Sequence, residues 1–121
     1  MSAILENELG AITFTDDYIA SLVGMAATDC YGVVGMASQQ KMADGIAELL
    51  GRDNYKRGVK IETNSDHSIK IQLYIIVQYG ISIVAIVDSI ISTVKYQVEN
   101  FTGLTVSNVD VVVSGIRVQA D

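Results

Sequence analysis

The segment from Ile69 to Val118 constrains the fold more than any other part of the chain. Its first ten residues alternate, with Ile69, Ile71, Leu73, Ile75 and Val77 on one side and Lys70, Gln72, Tyr74, Ile76 and Gln78 on the other. Successive side chains of a strand point to opposite faces, so one face of this strand is buried. Gly80 breaks the strand and Ser82 offers a helix cap. From there to about Phe101, the residues Ile83, Val84, Val87, Ile90, Ile91, Val94, Val98 and Phe101 fall within an arc of about 120°, the stripe of a helix that packs on a core. Thr102-Gly103 closes that helix. Val109, Val111 and Val113 then line one side of a last strand, with Asp110, Val112 and Ser114 opposite and Gly115 placed to bend it.

The front half adds a second helix to the same core. Gly10 to Phe14 alternates as a short strand, and Thr15-Asp16-Asp17 supplies a cap followed by acids in the first turn. Ile19, Leu22, Val23, Ala26, Ala27 and Cys30 share one stripe, and Gly32 is the expected stop. Val33-Val34 reads as a brief strand, and Lys41 to Leu50 as a short helix buried through Met42, Ile46, Leu49 and Leu50. Gly51 to Gly58 is a polar connection. Val59 to Thr63 alternates, and Asn64 to Ser68 is a hairpin turn into the strand at Ile69. These elements predict an α+β fold: a two-layer sandwich, with a mixed β-sheet, two long helices on one face and a short extra helix. At 121 residues the chain has room for one domain.

Half the residues are hydrophobic, enough to build a packed core. The net charge of −6 opposes the phosphate neutralisation on which nucleic-acid binding rests, and disfavours acidic membrane surfaces. The most apolar run, Leu73 to Val87, is broken by Gln78 and Gly80 and ends at Asp88, short of the roughly 20 apolar residues of a membrane span. The first residues lack the basic start and apolar run of a secretory signal. One cysteine, Cys30, excludes an internal disulfide and points to a reducing cytosol.

Catalytic chemistry finds little support. The one histidine, His67, falls in the Asn64–Ser68 turn, and Cys30 lies on an apolar helix stripe, where an inert core thiol is expected. One His and one Cys make no metal site, and no cofactor motif is present. Asp16-Asp17 is explained by helix capping. Two features point instead to interaction surfaces. Tyr74, Ile76 and Val112 are apolar where a solvated sheet face is polar; they read either as one partner-binding patch or as isolated surface apolars or residues covered by the short helix near Met42. Six of the eight basic residues lie between Lys41 and Lys70, and among them Arg52, Lys56 and Arg57 are candidates for docking an acidic partner or the acidic N-terminal half of another copy. A second reading takes Gly32-Val33-Val34-Gly35 as the Gly-x-x-Gly loop of a K-homology RNA-binding module, although its neighbours are apolar rather than basic.

Several of these segments, in order, resemble one family. Gly10-x-Ile12 leads into the first helix; Cys30-Tyr31-Gly32-Val33-Val34-Gly35-Met36 is similar to a Glu-Gly-Val-x-Gly-Met step; Tyr79-Gly80-Ile81-Ser82-Ile83, a long helix, Phe101-Thr102-Gly103-Leu104 and Val106-x-x-Val109-x-Val111-x-Val113-x-Gly115-Ile116 come after it. The pattern resembles the alkaline-shock, or envelope stress response, proteins of mainly Gram-positive bacteria, from about Gly10 to Val118. Cys30-Tyr31 stands where that family commonly has an acid, and Ser82-Ile83-Val84 replaces Asn-Ile-Pro. The resemblance implies a single alkaline-shock-type domain and a cytoplasmic, non-catalytic protein of cell-envelope homeostasis. It also implies no cofactor, assembly into larger structures in some members, and attachment to the membrane in others through a separate anchoring protein. A scaffold or adaptor acting through a protein partner or a second copy is the expectation.

Overall fold

The computed structural model describes residues 2–38 and 52–118. The elements run β1 (Ser2–Asn7), β2 (Gly10–Thr15), α1 (Asp16–Thr28), β3 (Val33–Met36), a 3₁₀ segment (Arg52–Gly58), β4 (Val59–Thr63), β5 (Ile69–Gln78), α2 (Ile83–Thr102) and β6 (Val106–Arg117). The class is α+β, with two helices and mixed strand pairing. The helix expected at Lys41–Leu50 falls outside the described residues. The polar connection after it is wound as the 3₁₀ segment, so the described residues hold a 3₁₀ turn there and no third α-helix.

β5 is the central strand. One edge pairs in parallel with β6 along its whole length, from Ile69↔Val106 to Gln78↔Arg117. The opposite edge is shared end to end by two antiparallel strands: β4 takes Ile69–Leu73 and β3 takes Ile75–Val77. The parallel pair requires a crossover, which α2 supplies. A separate antiparallel ribbon joins β1 to β2, and only its second strand alternates clearly enough to be expected. Its two-residue turn is held by Asn7, whose Oδ1 accepts a hydrogen bond from the Leu9 N–H at 2.8 Å.

The core is one cluster in which Ile19, Val23, Ala26 and Ala27 of α1 and Ile86, Ile90, Val94 and Val98 of α2 meet the five odd-numbered residues of β5. Ala3 of β1 is fully buried in it, so the core begins ahead of Gly10. α1 starts at a Thr15 cap whose Oγ1 accepts from the Tyr18 N–H at 3.2 Å. It stops at Thr28, before Gly32, and Cys30 reaches the core from the turn beyond the helix.

α2 corrects the expected stripe. Its buried residues are Ile86, Ile90, Val94, Val98 and Thr102, while Ile83, Val84 and Phe101 are exposed. A line of residues spaced by four drifts about 40° around the helix at each step, so a helix crossing its neighbours obliquely exposes both ends of a straight stripe. The helix ends on Gly103, at φ +76°, whose N–H donates to the Glu99 carbonyl at 2.9 Å. Glu99 Oε2 then accepts from the Val106 N–H at 2.9 Å, tying the helix end to the start of β6.

Candidate interaction surfaces

The sheet face opposite the core is built in rows across β4, β5 and β6. Glu62, Lys70 and Asn108 form one row and Lys60, Gln72 and Asp110 the next; Tyr74 stands beside Val112, and Ile76 beside Gly115. The first two rows are charged, with Lys60 Nζ 3.4 Å from Glu62 Oε1, and enclose a shallow hollow lined by Lys60, Glu62, Lys70, Gln72 and Asp110. The apolar rows differ from the expected patch in one respect. Tyr74 and Val112 are half-buried, but Ile76 is only 3% exposed. Both ladders slip by a residue beside it, between Val33 and Gly35 and between Ile75 and Ile76. Ile75, Ile76 and Val77 are buried in succession, so the sheet is covered on both faces at this end. The signal was three consecutive aliphatic residues inside an otherwise alternating strand. Tyr74 and Val112 are the two residues of the expected patch that stay partly exposed on this face.

The basic segment is attached to α1. Tyr55 packs so closely on the helix that a Cβ at Gly24 would lie 2.7 Å from its own Cβ. Lys56 Nζ lies 3.2 Å from Asp17 Oδ2, so part of the charge asymmetry along the chain is met within one molecule. Both groups are exposed, and such a pair contributes about 0–1 kcal/mol. Arg57 is exposed as well, while the side chain of Arg52 falls outside the described residues.

Cys30 and His67 are not brought together. Gly32, two residues after Cys30, accepts a hydrogen bond from Gln78 at the end of β5, and His67 precedes the start of that strand. Ten strand residues separate them, on the order of 30 Å. His67 sits in the turn at φ +69°. Around it Asp66 Oδ1 accepts from the Ser68 hydroxyl at 2.6 Å and the Ser68 N–H at 3.0 Å, while Asn64 Nδ2 reaches Ser68 Oγ and Ser107 Oγ. The bonds from Ser68, hydroxyl first, hold the Asp66 carboxyl below the ordinary aspartate pKa. Cys30 is buried, with Sγ 3.6 Å from the Ala26 carbonyl. Among the described residues no group of three His, Cys, Asp or Glu side chains is placed to hold a metal.

The two glycines of the Gly-x-x-Gly segment serve packing. Gly32 takes φ +91° against Ile86 of α2, and Gly35 is buried within β3. Neither forms an open loop between helices, so the RNA-binding reading gains nothing from them.

Sequence reasoning missed large apolar side chains left exposed at the two ends of the molecule. At the end where β5 and β6 finish and α2 begins stand Tyr31 (81% exposed), Tyr79, Ile83, Val84 (72%), Ile116 and Val118. At the other end the β1–β2 ribbon projects Leu5, Leu9 (98%) and Ile12. Such residues carry no periodic signal, and only the tertiary fold groups them.

Comparison with known proteins is consistent across nearly the whole chain. The model of the alkaline-shock protein 23 family, described as having a cell envelope-related function, matches residues 4–118. The uncharacterized protein YloU of Bacillus subtilis is 41% identical over 118 residues, covering 98% of each chain. Spy1614 of Streptococcus pyogenes is 36% identical over 118 residues, covering 98% of this chain and 97% of its own. A protein of that species named as a stress response regulator gls24 homolog is 29% identical over 108 residues, 89% of this chain and 59% of its own length. No solved structure matches with significance.

Proposed function

The chain is a member of the alkaline-shock protein 23 family, and from that membership we propose that it is a non-enzymatic scaffold or adaptor in bacterial envelope stress response and homeostasis. It works by self-association and by docking a protein partner. The observation that carries this reading is the quantity of large apolar surface left outside a closed core, on a domain whose candidate nucleophile and base lie at opposite ends of its central strand. Exposed apolar groups of this extent mark surfaces that other molecules cover. The stress-response part draws on the relative named as a regulator of that response.

Tyr74 and Val112 on the outer sheet face, and Lys56, Arg57 and Arg52 on the 3₁₀ segment, are the partner-binding residues of this proposal. A cytoplasmic location belongs to it too, with the membrane reached through a separate anchoring protein; no helix among the described residues is long and apolar enough to cross by itself. The test is a strain lacking the chain, challenged with alkaline shock and cell-wall antibiotics and complemented with wild type or with Tyr74→Glu/Val112→Glu. Loss of tolerance that wild type restores and the double variant does not is the expected result. Normal growth of the deletion strain under every challenge would refute an envelope role.

A further inference from the structure

The two exposed apolar ends lie at opposite ends of β5. The ribbon stands at the start of that strand: Ile4 and Leu5 line a groove with Asp66, His67, Ser68 and Gly103–Thr105, and Leu5 Cδ2 would lie 3.1 Å from a Cβ at Gly103. The tyrosine-rich end stands at its finish, where the Gln78 N–H donates to the Gly32 carbonyl and the Tyr79 N–H to the Arg117 carbonyl. α1 runs from the first end to the second and α2 runs back.

The ribbon is apolar along one face. Its cross-strand pairs Ala3↔Phe14 and Leu5↔Ile12 share that face, so the inner pair is spent on the core and the outer pair, with Leu9 at the turn, projects beyond it. A two-stranded ribbon is marginal in water unless something packs on it. From their fractional exposures, the six named residues of the tyrosine-rich end together offer roughly 750 Å², backbone and tyrosine hydroxyls included. The ribbon end, Leu5, Leu9 and Ile12 with Phe101, offers roughly 500 Å², and a standard interface takes ~800 Å² from each partner.

We propose that the β1–β2 ribbon of one copy seats Leu5, Leu9 and Ile12 on the end of a second copy formed by Tyr31, Tyr79, Ile83, Val84, Ile116 and Val118. The inference rests on the self-association reading above and names its surfaces. A second copy is the occupant that the areas favour, because a single contact then covers both an end that projects and an end that receives. A foreign partner on either would leave the other in water. The two surfaces are unlike, so the contact is head-to-tail and repeats along a row instead of closing a symmetric pair.

Sedimentation velocity on the full chain across a dilution series tests this, with Leu9→Asp and Val84→Asp as probes. Both side chains are exposed, and Val84 lies in the first turn of α2, where an acid is favourable, so circular dichroism should show both variants folded. Wild type is expected to grow beyond a single 13.0 kDa chain as concentration rises. Each variant alone should lose association by about tenfold or more, the effect of a charge placed in an apolar contact. Mixing the two should restore a one-to-one pair, since the pair joins the intact ribbon of one variant to the intact receiving end of the other. Variants that assemble like wild type would overturn the assignment of surfaces while leaving self-association standing. Two weakened variants with no recovery on mixing would mean a like-to-like contact and overturn the head-to-tail arrangement. A wild type that stays at one chain throughout would sink the self-association reading along with it.

Discussion

Gly32→Ala probes the step from α1 to β3, where backbone conformation and packing act on one atom. Gly32 holds φ +91°, and a Cβ there would lie 2.7 Å from Ile86 Cδ1 and 2.9 Å from Cγ1. Ile86 belongs to the buried line of α2 and has no solvent to swing into. The left-handed backbone costs an alanine about 1–2 kcal/mol. Overpacking adds about 1–3 kcal/mol, and the smaller unfolded-state entropy of alanine offsets about 0.4–1 kcal/mol. The net loss is about 1–4.5 kcal/mol, a fall of roughly 4–18 °C in the unfolding midpoint for a chain of this size. Urea unfolding followed by circular dichroism measures it. Ile86→Val on its own removes the nearer methyl and should cost about 0.5–1.5 kcal/mol. In the double variant that methyl no longer opposes the new Cβ, so the combined loss should fall short of the sum by about 1 kcal/mol. Strict additivity, or a Gly32→Ala loss below about 1 kcal/mol, would show that the helix does not press on this glycine as described.

Two further outcomes are expected at positions near the candidate surfaces. Ile76→Asp places an acid at a site only 3% exposed and should lower stability by about 3 kcal/mol or more, measured by the same denaturation; a loss under about 0.5 kcal/mol would return Ile76 to the exposed face. Asp66 has its carboxyl pKa lowered in the folded state, so its contribution to stability is complete above the ordinary aspartate pKa and fades as pH falls through the lower folded value. Asp66→Asn should therefore flatten the acid limb of a melting-temperature profile and leave its shape unchanged near neutrality. An acid limb identical to wild type would exclude Asp66 as its source.

The central part of the fold is legible because a strand with one buried face writes a period of two. The bounds of β4 and β5 and the turn between them come from alternation and turn chemistry alone. Where burial runs along a slanting line, as on α2, a straight stripe identifies the helix but misplaces its ends, leaving out Ile86 and turning Val84 and Phe101 inward. β1 leaves no such trace because, among the described residues, Ser2–Asn7 pairs with β2 alone and Ala3 is the one side chain it buries. Family membership is legible from glycine punctuation in the right order: Gly80 and Gly103 stand where the backbone leaves a strand or a helix, and Gly115 beside the slip in the β5–β6 ladder. The surfaces are less so. Alternation gives the outward direction of Tyr74 and Val112, two of the three outer-face residues, but Ile76 is lost to a local slip of both ladders, and the two apolar ends are assembled from residues 5 to 118 that no local window connects.

The pairing of β5 has a consequence for the chain as it is made. Both strands of one edge, β3 and β4, precede β5, whereas the strand of the other edge, β6, begins only at Val106. Until β6 is complete, 39 residues beyond Gln78 and roughly 2–8 s at about 5–20 residues per second, the emerging chain carries an open strand edge, and its five-residue aliphatic face has only α1 on it until α2 is made. An edge of that kind templates pairing with any neighbouring strand. The aliphatic strand that gives the finished domain its cohesion is thus its greatest hazard at birth, and completion of the last twelve-residue strand is the event that removes it.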